Sequence, residues 1–262
     1  MLIDQLQKFK TDITALQGIR WMNKGVIEKK DYTIYYSCGD KHQFGTGFVV
    51  SNRIKNQVID FTPVNERMST LRIKGKFFNY SIINVHLPTE GKPEEEKDKY
   101  YTLLEKTYDA FPNYDVKIVL GDMNAQIGRE EINYPTASKY SLHAHSNENG
   151  MRLLDFATSR GMIIGSTHFP HKGTWKSPDG QTINQIDHVL IESRHKSMLM
   201  DCRGTNIDSD HFLVIANIRA KLRSNKGREN NNNSRGLRKY KLEEHEMLFW
   251  IDTIFPIQIV NI

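Results

Sequence analysis

The chain has 262 residues, of which 38% are hydrophobic and 26% charged, with a net charge of +5. These proportions suit a soluble globular protein with one large core plus tails, or two small domains. No run of about 18 apolar residues occurs, so no membrane partner is expected. Asp4, Gln5 and Gln7 lie within the first ten residues, against a signal peptide. Cys38 and Cys202 make neither a CxxC pair nor a disulfide framework, which predicts an intracellular protein, nuclear or cytoplasmic.

The charge is unevenly spread. Residues 219 to 241 hold nine Lys or Arg against Glu229 alone, so the remainder of the chain is slightly acidic. A basic stretch of this kind can touch phosphates without sequence preference. Asn230 to Asn233 give it the composition of a solvated linker. We therefore divide the chain into a body over 1–222, a basic Asn-rich linker over 223–241, and an apolar segment over 242–262. That last segment either docks on the body or frays, and Ile257 to Ile262 are an aggregation hazard if undocked.

In chain order, Leu2, Leu6 and Phe9 are spaced as on an amphipathic helix over Met1–Lys10. Strands are expected over Ile13–Gln17, Gly45–Val50, Gln57–Phe61, Met68–Lys74 and Phe77–Val85, with a turn at Lys74-Gly75-Lys76. Pro93 followed by three glutamates starts a helix that ends at Pro112. A second helix spans Asn149–Arg160 and stops at Gly161. Strands at Met162–Ser166, Ile186–Ile191 and Phe212–Ala216 complete the pattern.

Between the two helices lies Lys117-Ile118-Val119-Leu120-Gly121-Asp122-Met123-Asn124-Ala125. An apolar triplet stopped by glycine reads as a buried strand, and Asp122 and Asn124 fall where it opens into a loop. In layered α/β folds ligands bind just beyond such strand ends. A carboxylate can orient or deprotonate water there, and an amide can hold a phosphate oxygen. Asp187 lies within an apolar strand, where its charge needs a partner. Asp210-His211 precede another, and a carboxylate bonded to an imidazole raises its pKa. Asp-Met-Asn alone reads better as the start of a turn; the five residues together reverse that.

Gly-Asp-Met-Asn, Ile-Asp-His and Ser-Asp-His occur in the order found in the endonuclease/exonuclease/phosphatase superfamily, which residues 1 to about 222 resemble. The likeness is closest to endonuclease domains of non-LTR retrotransposons and to craniofacial development protein 2-like proteins. It is carried also by Leu16–Trp21, Pro63–Arg67, Pro88–Glu90, Gly165–Thr167 and Trp175–Gly180. The resemblance implies a four-layer α/β sandwich of two packed mixed β-sheets flanked by helices. It implies divalent-metal cleavage of phosphodiesters, with Mg²⁺ or alternatively Mn²⁺, and DNA or another nucleic acid as partner.

By that resemblance Asp122 positions or deprotonates water and binds metal, Asn124 holds the scissile phosphate, and His211 stabilises charge with Asp187 orienting it. Asp210 binds metal, and His86 stands where the family often has a phosphate-contacting residue. Two departures are expected to weaken the chain as an enzyme. The family's first strand, ending in an asparagine, would lie before Met1, and Gly18 replaces a metal-ligating glutamate with a residue that has only a backbone carbonyl to give. The alternatives are a non-catalytic remnant that binds nucleic acid or protein, and a phosphatase of inositol phosphates or phospholipids.

Overall fold

The computed structural model of the chain describes residues 11–170, 173–205, 209–221 and 252–261. In chain order the strands are β1 (Ile13–Gln17), β2 (Lys24–Glu28), β3 (Tyr32–Ser37), β4 (Thr46–Ser51), β5 (Val58–Asn65), β6 (Met68–Ile73), β7 (Tyr80–His86) and β8 (Val116–Asp122). They continue as β9 (Met162–Ile164), β10 (Trp175–Lys176), β11 (Ile183–Asn184), β12 (Asp187–Glu192), β13 (Leu199–Thr205), β14 (Leu213–Lys221) and β15 (Asp252–Asn261). Two helices, α1 (Glu94–Asp109) and α2 (Glu148–Ser159), separate them.

The strands form two mixed sheets. The first has the order β13-β14-β15-β1-β4-β3-β2 and the second β5-β6-β7-β8-β12-β9, with β10 and β11 as a separate ribbon. Each sheet contains one parallel pair, β1 with β15 and β7 with β8, the latter joined through α1. That strand-helix-strand unit and the antiparallel run β5-β6-β7 match the expectation.

The sheets pack face to face. Ile13, Phe48, Leu71, Ile82, Ile118, Leu120, Val189 and Val214 share the buried cluster between them. The other face of the second sheet lies against the helices, where Ile83, Val85, Val119 and Leu190 meet Leu104, Leu153, Leu154 and Phe156. β8 therefore buries alternate residues in two different cores, which is why its sequence is an unbroken apolar run. The first sheet's outer face gathers Leu16, Ile34, Val49, Leu213 and Val260. The helix expected over Met1–Lys10 lies outside the described residues, as do residues 223–241. Among the described residues no helix is long and apolar enough to cross a membrane.

At the C-terminal end, docking on the body is the one of the two alternatives that is observed. Asp252–Asn261, for which the sequence suggested no definite role, are an inner strand of the first sheet, with Ile257, Gln258, Ile259 and Val260 all buried. The body thus continues beyond residue 222. Their composition is that of an aggregation-prone strand because they fill a two-sided place in a sheet.

Candidate active site

The register of the second sheet builds the site. In the parallel pair β7–β8, His86 stands opposite Asp122, and in the antiparallel pair β8–β12, Asp187 stands opposite Asp122 from the other side. Three of the residues singled out in the sequence thus lie in a row across neighbouring strands. Gly121, just before Asp122, has φ 134, and a Cβ there would meet the Val85 carbonyl oxygen at 2.0 Å. Only glycine allows β7 and β8 to run this close at that rung.

His211 lies just before β14, in an isolated bridge with Trp175. The segment before β14 is clamped to β10: Lys176 N–H donates to the Asp210 carbonyl at 2.8 Å, and Phe212 N–H to the Thr174 carbonyl at 2.7 Å. This places His211 Nδ1 at 3.2 Å from Asp187 Oδ2. Ligand atoms of Asp122, Asp187 and His211 all lie within 4.8 Å of one another. Thr174 Oγ1 accepts from the N–H groups of Ile186 and Asp187, fixing the start of β12.

Asn124 has φ 48, a left-handed conformation that asparagine tolerates. Its N–H donates to Asp122 Oδ1 at 3.0 Å, and its Nδ2 to the Leu87 carbonyl at 2.9 Å. The loop is stitched to the start of α2, where Asn149 Nδ2 donates to the carbonyls of Pro88 and Asn124. Glu90 accepts from the N–H groups of Glu148 and Asn149. Asp122, Asn124, His86 and His211 line one open cleft of about 480 Å³, together with Glu90, Asn147 and Trp175.

Burial, reinforced by the charge of Asp187 and opposed by His211, raises the Asp122 pKa to about 7. Burial alone would lower His211, but the hydrogen bond and charge of Asp187, with Asp122 and Asp210 behind, raise it to about 9. His86 is pushed down to about 4 by burial and by the charges of Arg67 and His211. At neutral pH the cleft thus holds a cationic His211, a neutral His86 and an Asp122 poised to exchange a proton.

Asp122, Asn124, Asp187, His211 and His86 are brought together. Asp210 is exposed and does not join the three-residue cluster; its carboxylate accepts from Ser209 Oγ and the His211 N–H. Gly18 follows β1 at φ 68. Sequence reasoning missed Arg67, a buried cation 3.6 Å over the Phe44 ring that donates to the His86 carbonyl. It assigned no role to Trp175 either, whose signal was the Trp-Lys ribbon strand next to the Asp-His segment.

The oxygen-rich pair Asp122 and Asp187 suits a hard divalent cation, since two adjacent buried carboxylates hold more negative charge than His211 alone balances.

Fold and cleft together are those of a nuclease-phosphatase scaffold. The chain belongs to the Endonuclease/Exonuclease/phosphatase family, whose profile matches residues 1–211. It is 33% identical over 228 residues to craniofacial development protein 2 of Tragulus javanicus, a match that covers 84% of this chain and 39% of that protein. The endonuclease domain of TRAS1, a telomere-specific non-LTR retrotransposon, superposes with TM-score 0.57 at 15% identity, covering 84% of this chain and 90% of that one. The 3' phosphatase NExo from Neisseria, bound to a product DNA hairpin, superposes with TM-score 0.56 at 18% identity, covering 83% and 93%.

Proposed function

We propose that the chain is a divalent-metal-dependent phosphodiesterase acting on DNA, an endonuclease of retrotransposon type. The observation that supports this best is the convergence of Asp122, Asp187 and His211 from three separate segments of the chain, with Asp122 and His211 lining one cleft and Asp187 buried behind them. In this reading Asp122, with Asp187 beside it, holds the cation. A bound divalent cation supplies charge neutralisation at the phosphate and makes a nearby water more acidic.

The chain's own residues divide the remaining work. Asp122, as a carboxylate, orients the attacking water and takes its proton. His211, protonated at neutral pH, faces the phosphate and balances the charge that builds on it, while Asp187 fixes the ring. Asn124 presents its amide to the phosphate from a backbone held by Asp122 and Asn149. Neutral His86 contributes a hydrogen bond without adding charge.

Gly18 supports a second reading, a cleft that binds nucleic acid without cutting it, because it brings no carboxylate to the site. Supercoiled plasmid nicking against gel-shift binding separates the two. We expect Mg²⁺-dependent nicking by the wild type, and loss of ~10²-fold or more in Asp122→Ala with binding retained. Binding without nicking in any divalent metal overturns the enzymatic reading in favour of the second.

A further inference from the structure

β14 and β15 are antiparallel neighbours whose outermost rung pairs Lys221 with Asp252. A turn of about 2–5 residues is enough to join two such strands. The chain takes about 30 residues instead, 222 to 251. On its other side β15 runs parallel to β1, from Ile13 opposite Ile257 to Gln17 opposite Asn261. Its two partners therefore come from opposite ends of the sequence. Each already has another neighbour, β13 for β14 and β4 for β1, so without β15 the sheet is two self-paired pieces.

The strand also has a clean boundary and an incomplete fit. Pairing with β1 begins at Ile257, so Pro256, which has no N–H to give, stands where β15 has only β14 beside it. The two-sided part is Ile257 to Asn261. Gln258 is fully buried, yet its Oε1 accepts only a long bond from Thr14 Oγ1 at 3.5 Å and its Nε2 has no partner. Ile257 borders an apolar gap of about 20 Å³ shared with Ile13, Ile73, Ile118 and Ile218. An unpaired buried amide and a void both weaken the hold on the strand.

We infer that the slot between β1 and β14 is a strand-acceptor site, that its occupant is Asp252–Asn261 of the same chain, and that this strand binds as a tethered, exchangeable ligand. Recognition follows the logic of strand addition. Ile257 and Ile259 enter the core between the sheets, Val260 joins the cluster on the other face, and ladder bonds form on both edges. Because strand and slot belong to one chain, the resident strand has the advantage over any free competitor of the same sequence. The docked strand braces the cleft as well: Gln17, its last rung on β1, donates to Asn84 Oδ1 at 2.5 Å, and Asn84 lies on β7 just before Val85 and His86.

The test uses the full chain with a protease site introduced within Asn230–Asn233, purified and then cut. The two fragments are expected to stay together in size-exclusion chromatography at micromolar concentration. A fluorescent synthetic peptide spanning residues 252–262 should then replace the resident fragment with saturable binding, and the same peptide with Gln258→Pro should not. Fragments that separate while the remainder keeps its unfolding midpoint would overturn the inference. So would fragments that stay together and admit no peptide short of global unfolding, because β15 is then a permanent strand. If cutting unfolds the chain, the uncut Gln258→Pro protein is used, whose own strand can no longer complete the ladder. Saturable peptide binding to that variant supports the inference, and none overturns it.

Discussion

Asp122 dominates the electrostatics of the cleft, since burial and the facing Asp187 hold its pKa at about 7 while His211 and Arg67 pull the other way. The folded pKa lies above the ordinary 3.8, so the stability contributed by the held proton is complete below about pH 4 and is lost as pH rises through about 7. In the presence of a chelator, wild type should lose on the order of 2–4 kcal/mol between pH 4 and 8 relative to Asp122→Asn. Denaturant midpoints across that range measure it, and parallel curves would show that the carboxylate is not strained. A second expectation concerns Gly18. Its φ of 68 imposes about 1 kcal/mol of backbone strain on any side chain placed there. Gly18→Glu and Gly18→Gln carry the same strain, so their difference isolates charge. Glu should raise the initial nicking rate at limiting Mg²⁺ well above Gln, and equal rates would dismiss a missing carboxylate as the cause of weak activity. Asp122 and Asn124 were legible because they stand where an apolar strand runs out, and Asp187 and His211 because they stand at or just before the start of one. Arg67 was not, because a buried cation is recognisable only by the ring and carbonyl that surround it.

The elements around the cleft are held by side chains at the start of α2. Asn147 Oδ1 accepts from the Gly150 N–H, capping the helix, and from the Gln126 N–H in the loop after Asn124. Asn147→Ala should cost about 1–2 kcal/mol and reduce nicking in addition, whereas Asn147→Asp still accepts both bonds but loses the Nδ2 donation to Glu90 and sets a carboxylate against it, so it should fall between Ala and wild type. Thermal unfolding read beside activity distinguishes the outcomes. Equal stability of the Ala and wild-type chains would mean the cap is idle. Strand recognition divided along the same physical line. β8 and β12 are buried on both faces and read as apolar runs. β2 is an edge strand that alternates exposed and half-buried residues, and its Lys, Gly and Glu conceal it among loop sequence. β13 hides in the same way, with Asp201 between its buried Leu199 and Cys202 and with Arg203 and Gly204 directly after them.

At the scale of the whole fold, the sandwich follows from a few apolar runs and the two helices among the described residues, but the order of strands in the first sheet does not. β1 and β15 are neighbours from the two ends of the chain, and no local pattern announces a pairing at that separation. The apolar C-terminal segment could be read as strand-forming, and only the slot between β1 and β14 says where such a strand goes.

The shared rung of Lys221 and Asp252 has a consequence for loop-closure entropy. Bringing the ends of a flexible loop together costs about 0.6 kcal/mol more for each doubling of its length. Replacing residues 222–251 by a two-residue Asn-Gly turn converts β14 and β15 into an ordinary hairpin and should return about 2 kcal/mol of stability. For a chain of this size the unfolding temperature should rise by about 4–8 °C. The same change should abolish entry of the free strand peptide, because the resident strand would then be held by a turn too short to let it leave. A fall in the unfolding temperature would show instead that the excised residues contribute contacts worth more than the entropy of closing them.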